Sequence, residues 1–202
     1  MDYFEPADIL IYIQGQGVVL KEKSLVAFDT ENKKIIAFGE DAARLAKSPP
    51  EHVKILSPLR RGMIADYQMA VKLFTRLLHK AWGRKPLFPP EILICAPKGM
   101  TDVEKKAVED ALIQAGTKEI FITDISLEQL LEVMPELPKE WRKVKTYVVI
   151  TKAEPERYIA EQLSDILLLA EQEGISAEKI TEMFQEAVES PDHETLEKCV
   201  KQ

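Results

Sequence analysis

Between residues 66 and 123 the spacing of apolar residues switches repeatedly between helical and strand periods, and no other feature restricts the fold so strongly. Tyr67, Ala70, Val71, Phe74, Leu77, Leu78 and Ala81 recur every third or fourth position, which places them on one face of a helix, and Asp66 stands where its N-cap belongs. Glu91 to Ala96 is a near-continuous apolar run, the pattern of a strand covered on both faces. Thr101 and Glu104 have the spacing of a capping box for a helix reaching about Ala115, and Glu119 to Thr123 is another strand. Strand, helix and strand in succession imply a parallel section of sheet, hence an α/β protein.

The flanks add to this frame. Ile9 to Ile13, Val18 to Leu20 and Ser24 to Phe28 are rich in branched and aromatic residues and are separated by Gln14-Gly15-Gln16-Gly17 and Lys21-Glu22-Lys23. They predict a three-strand antiparallel meander. Lys34 to Phe38 reads as a strand broken by Gly39, Glu40 to Lys47 as a short helix ended by Ser48-Pro49-Pro50, and Val53 to Leu56 as one more strand. A short helix starts near Ser126, Pro135 and Pro138 interrupt the chain, and Lys145 to Ile150 is a last strand candidate. A domain boundary is expected at Pro138, giving a body over 1–138 and, over 139–202, a diverged strand followed by a helical tail. In that tail Ile159, Leu163, Ile166, Leu167 and Ala170 form one stripe, Gly174 stops the helix, and Ser176 starts another bearing Ile180, Met183, Phe184 and Ala187. A third short helix is expected after Pro191.

Charge divides the chain the same way. Of the 34 acids, 13 fall in residues 154–202 against 4 Lys or Arg, so the tail is acidic and the rest is near neutral. With 46% hydrophobic residues the chain can bury one good core and a small accessory lobe. No nucleic-acid partner is expected of this balance. Cys95 and Cys199 lack any CxxC spacing, and His52, His79 and His193 have no partners at ligand spacing, so neither a disulfide framework nor a metal site is expected and a reducing cytoplasm fits. MDYFEPADILIYIQ lacks the basic start of a signal peptide, and no apolar run approaches the ~20 residues of a membrane span, which predicts a soluble or peripheral protein. Met63, Met69 and Met100 read as core filler, and Arg60-Arg61 as a solvated turn.

Three segments carry a specific likeness. LIYIQGQGVVLKEKSLVAFD (Leu10 to Asp29), PLRRGMIADY (Pro58 to Tyr67) and ICAPKGMTDVEKKAVEDALIQAG (Ile94 to Gly116) resemble, in one register, the first lobe of bacterial actins of the MreB, or rod-shape-determining, family. The resemblance spans residues 8–133. It implies an actin-like, ribonuclease-H-like half-domain with a small inserted subdomain over residues 26–57, and a role in a membrane-associated cytoskeleton that organises cell-wall synthesis.

The same resemblance locates a nucleotide site that is altered here. The family has a DxGT-type turn near its first hairpin, whose glycine and hydroxyl let backbone approach a phosphate. The equivalent stretch is Tyr3-Phe4-Glu5-Pro6: Tyr3 replaces the aspartate of the magnesium shell, Glu5 brings negative charge, and Pro6 removes a donor. The acid that orients the attacking water corresponds to Ile125, followed by Ser126, with Asp124 beside it as a weak substitute. No DIGGGT-like second phosphate loop is visible, since Thr151-Lys152-Ala153-Glu154 follows the last strand. No cofactor is therefore expected, and ATP with magnesium only if a partner chain completes the site.

One surface stands out. Residues 60–98 hold 8 Lys or Arg against 2 acids, and within them Trp82, Arg84, Lys85, Leu87 and Phe88 set bases beside large apolar side chains in a loop. Anionic lipid favours such a pairing, and Leu87-Phe88 resembles a family loop that enters the inner leaflet. The alternative is that Trp82 and Phe88 pack under the sheet edge. The resemblance implies as partners a full-length bacterial actin filament, cell-wall synthesis proteins or the inner membrane. Two further readings stand beside this one: an ATP-binding protein completed by a partner chain, and an adaptor working through its acidic tail.

Overall fold

The computed structural model describes residues 6–60, 62–84, 86–151, 163, 166–170 and 172–189. Contacts divide the chain into two units, Met1–Ala153 and Glu154–Gln202.

Five strands build the main sheet of the first unit: β1 (Asp8–Ile13), β2 (Gly17–Lys23), β8 (Glu91–Cys95), β9 (Glu119–Thr123) and β10 (Thr146–Thr151), in the order β2-β1-β10-β8-β9. β8 and β9 run parallel, as the intervening helix requires, and β10 runs parallel to β8 but antiparallel to β1. Side chains alternate across β8. Ile92 and Ile94 enter one core with Ile9, Ile11, Val148 and Ile150, while Leu93 and Cys95 enter another with Tyr147. The first core is covered by α2 (Tyr67–Trp82) and α3 (Asp102–Gln114), the second by α4 (Leu127–Glu132). A sheet apolar on both faces needs both coverings, and burial of each large aliphatic contributes roughly 1.5–3 kcal/mol.

β3 (Val26–Asp29), β4 (Lys34–Phe38) and β5 (Val53–Leu56) form a separate sheet in the order β4-β3-β5, with α1 (Gly39–Ala46) packed on it around Leu25, Ala27, Ala42 and Val53. The expected three-strand meander is corrected here: only β1 and β2 form a hairpin in the main sheet, and the third antiparallel member is β10. Buried Ser24 extends the hairpin by one more pair and ties the point where the chain leaves it to Leu59. Its N–H donates to Ala7 O at 2.7 Å, and its Oγ accepts from Leu59 N at 2.9 Å. The boundary expected at Pro138 is also displaced, since β10 lies in the middle of the sheet and carries the compact unit to Ala153.

β6 (Leu59–Arg60) and β7 (Met63–Ile64) make a small hairpin that leads into α2. Gly62 there has φ +82°, and a Cβ on it would stand 2.4 Å from Pro97 Cγ, so two of the motif segments meet at a contact only glycine allows. On α2 the buried stripe is Ala70, Leu73, Phe74, Leu77 and Leu78; Tyr67, in the first turn, is exposed, and Leu73 replaces it. Met100 is buried as a filler should be, whereas Met63 is exposed.

After α4 come a 3-10 turn (Met134–Glu136) and α5 (Lys139–Arg142). In the second unit residues 166–170 are helical, Gly174 turns with φ +71°, and α6 (Ala177–Glu189) follows, its start held by Lys179 N donating to Ser176 Oγ at 3.3 Å. Ala170 and Ile180 are buried. The expectations for Ile159, for the side chains of Phe184 and Ala187, and for a helix after Pro191 lie outside the described residues.

Candidate functional site

Local chemistry explains why α2 delivers its exit loop where it does. Asp66 Oδ1 accepts from Met69 N at 3.0 Å and starts the helix; Gly83, at φ +67°, ends it with its N–H on His79 O at 3.1 Å. The left-handed cap turns the chain outward. Pro86, Pro89 and Pro90 then stiffen the segment leading to β8. At its tip Leu87 is 96% exposed and Phe88 82%, the two most exposed large apolar side chains among the described residues. Leaving both in water forgoes roughly 1.5–3 kcal/mol each. Trp82 behaves differently: it is half-buried against the main core and its Nε1 donates to Thr146 Oγ1 at 3.4 Å, so it anchors the loop rather than projecting with it. Arg84 is exposed; Lys85 lies outside the described residues.

Beside the end of α2 a cleft of about 750 Å³ separates it from β4 and α1. Glu22, Phe38, Arg76, His79, Lys80 and Arg84 are among its lining residues. Glu22 is 4% exposed and fully engaged at both oxygens: Oε1 faces Lys80 Nζ at 2.5 Å, and Oε2 accepts from Glu40 N at 2.6 Å at the start of α1. The carboxylate therefore joins three elements. Gly39, next to that bond, has φ +59°, and a Cβ there would lie 2.0 Å from Glu22 Oε2. Asp41, on the rim, is paired with Arg44. Glu22 was not among the residues expected at a site, although it lies two residues from Leu20 on the same strand face, which marks an inward-pointing carboxylate.

The positions that the resemblance matches to nucleotide contacts are placed as follows. Tyr3 and Glu5 lie outside the described residues. Pro6 is buried in a bridge with Arg60 and has no N–H, while Ala7 N donates to Leu59 O at 3.3 Å. Ile125 is half-buried in the second core, its N–H directed to Thr123 Oγ1 at 3.4 Å, and Ser126 is occupied as the N-cap of α4, accepting from Gln129 N at 3.2 Å. Asp124 is exposed. Among the described residues no cluster of His, Cys, Asp or Glu could hold a metal ion, and no helix is long and apolar enough to cross a membrane.

A mixed sheet covered on both faces, with a small second sheet inserted after its first hairpin, defines an actin-like half-domain. The chain belongs to the MreB/Mbl protein family, whose model matches residues 5–129. It is 33% identical over 118 residues to the cell shape-determining protein Mbl of Bacillus subtilis and 32% identical over 123 residues to the cell shape-determining protein MreB of Escherichia coli; each match covers 58% of this chain and 35% of the relative. The chain thus spans about a third of the length of these curated relatives. Among solved structures, MreB5 of Spiroplasma citri bound to ADP superposes with a TM-score of 0.53 at 25% identity, covering 66% of this chain and 39% of that one.

Proposed function

We infer that this chain is a non-catalytic cell-shape protein of the MreB type that works at the inner surface of the membrane, inserting Leu87 and Phe88 among the acyl chains while neighbouring bases meet anionic headgroups. The observation that carries this reading is the almost complete exposure of both side chains on a proline-stiffened loop, next to exposed Arg84. Two adjacent apolar side chains held in water cost stability unless something covers them, and a bilayer with anionic lipid matches both the apolar tip and its basic flank. The relatives' names as cell shape-determining proteins support a cytoskeletal role, with a filament of a full-length relative as the partner the reading favours.

The absence of catalysis is supported by residues inside the matched stretch. Pro6 offers no N–H, Ala7 has spent its own, and Ile125 puts an aliphatic chain where hydrolysis needs a carboxylate. Sedimentation with liposomes tests the membrane role. Wild type should pellet with anionic vesicles and Leu87→Ser plus Phe88→Ser should stay in solution; equal pelleting of the two would refute insertion. Titration calorimetry with Mg-ATP should give a flat trace, and a saturable one would restore the nucleotide-binding alternative.

A further inference from the structure

The cleft between α2 and the small sheet takes no part in membrane insertion by Leu87 and Phe88, and its charge arrangement gives it a chemistry. Arg76 and Lys80 lie four residues apart on one side of α2, Arg84 follows just past its end, and all three line the cleft with His79. Lys80 is neutralised by buried Glu22, and Asp41 on the rim is neutralised by Arg44. Among the described residues Arg76 and Arg84 have no carboxylate partner. Two guanidinium groups therefore face the cleft uncompensated. The carbonyl end of α2 opposes an anion with about half a charge, less than the two full charges that attract it. Bases at a helix C-terminus often serve only that dipole, but such a role requires neither a cleft nor the fixing of Lys80 by a carboxylate from another strand.

We propose that this cleft is a phosphate-binding site that takes the phosphodiester headgroup of an anionic lipid. Guanidinium forks match phosphate oxygens bidentately, and the volume falls within the usual range of small-ligand sites, far more than a bare phosphate needs. Space remains for the glycerol. Arg84 and Leu87 are three residues apart, a reach of at most about 10 Å, so a headgroup held at Arg84 and acyl chains around Leu87 fit one lipid layer. The lipid assignment rests on the membrane reading; the phosphate site does not.

The test uses the full chain. Wild type, Arg76→Ala plus Arg84→Ala, Leu87→Ser plus Phe88→Ser, and a control with the same charge loss outside the cleft, Lys54→Ala plus Lys72→Ala, are compared. Each is sedimented with phosphatidylcholine vesicles with and without phosphatidylglycerol, and each is titrated with glycerol phosphate followed by NMR. Loss of the two arginines should weaken binding to the anionic vesicles roughly thirtyfold, about five- to sixfold for each interfacial base, whereas the lysine control weakens it less. Glycerol phosphate shifts that saturate in wild type and in the Leu87, Phe88 variant but vanish in the arginine variant, together with that selective vesicle loss, support the site. Vesicle binding lost only with Leu87 and Phe88, and untouched by the arginine pair, overturns the cleft while leaving membrane insertion standing. Absence of saturable binding to both glycerol phosphate and anionic vesicles, or equal losses in the arginine and lysine pairs, also overturns it. Saturation by glycerol phosphate without vesicle binding would keep the phosphate site and remove its lipid source, together with the insertion reading.

Discussion

Glu22 and Gly39 show how closely the cleft wall is built. The carboxylate, buried and bonded at both oxygens, occupies the space a Cβ at position 39 would need, and φ +59° at that glycine adds backbone strain for any other residue. Gly39→Ala should therefore cost about 3 kcal/mol, combining overpacking with left-handed strain. Gly83, with φ +67° but nothing within 4 Å of its virtual Cβ, isolates the strain, and Gly83→Ala should cost about 1 kcal/mol. Urea unfolding of both variants measures the difference; equal losses would show that the contact with Glu22 carries no energy. Cys95 gives a second residue-scale expectation. Burial, with a smaller contribution from the Glu128 charge, pushes its thiol up to about 12 from the usual 9.0. The folded state then keeps a proton that the unfolded state releases, so its contribution to stability is complete below pH 9 and is lost as pH rises from there toward 12, by about 1.4 kcal/mol per unit. Burial raises the Tyr147 hydroxyl too, which adds in the same direction in that alkaline range. Peptide mapping after alkylation at pH 8 should find Cys95 unmodified in the native protein and modified in denaturant; rapid native labelling would contradict its burial.

At the scale of elements, the helix starts are local devices and behave as such. Thr101 accepts from Glu104 N at 3.3 Å while Glu104 Oε2 accepts from Thr101 N at 2.7 Å, and Ser126 makes the matching arrangement with Gln129. Thr101→Ala should lower stability by about 1 kcal/mol without altering the sheet, and retention of full stability in thermal unfolding would show the box to be idle. The Thr101 cap was readable because both residues of its box lie within one turn, and the strand-helix-strand unit around it because each period is set by near neighbours in the chain. The destination of β3 was not. Its alternation is that of a meander strand, but the point where it leaves the hairpin is tied by Ser24 Oγ to Leu59 N, 35 residues away. Tyr67 keeps the period of the α2 stripe, yet in the first turn of the helix it stays exposed, whereas Leu73 is buried in the main core. The same division holds at the candidate site. Leu87 and Phe88 were legible as an apolar pair between prolines and bases, while the cleft depends on Lys80 meeting Glu22 across 58 residues of chain.

For the whole molecule the decisive strand is the last one. β10 pairs with β1 along its full length and with β8 from Thr146 to Val149, and without it the main sheet becomes two separate pairs, β2-β1 and β8-β9. It also supplies Val148 and Ile150 to one core and Tyr147 to the other. A two-stranded pair is marginal alone, so the coverings provided by α2, α3 and α4 cannot compensate for the gap. Two truncations separate this role from that of the acidic tail. A chain ending at Ala153 keeps every strand and the whole first unit, and should unfold cooperatively with a midpoint close to that of the full chain. A chain ending at Val144 lacks β10 and should lose the cooperative transition and expose Cys95 to alkylation. Val148→Pro in the full chain removes one ladder donor in the middle of the sheet and should cost several kcal/mol, reproducing much of the shorter truncation without changing length. If the chain ending at Val144 melts like the chain ending at Ala153, the strand is an ornament and the sheet closes by pairing β1 directly with β8; if only the shorter one fails, the body of the protein depends on a strand that joins it from beyond Pro138.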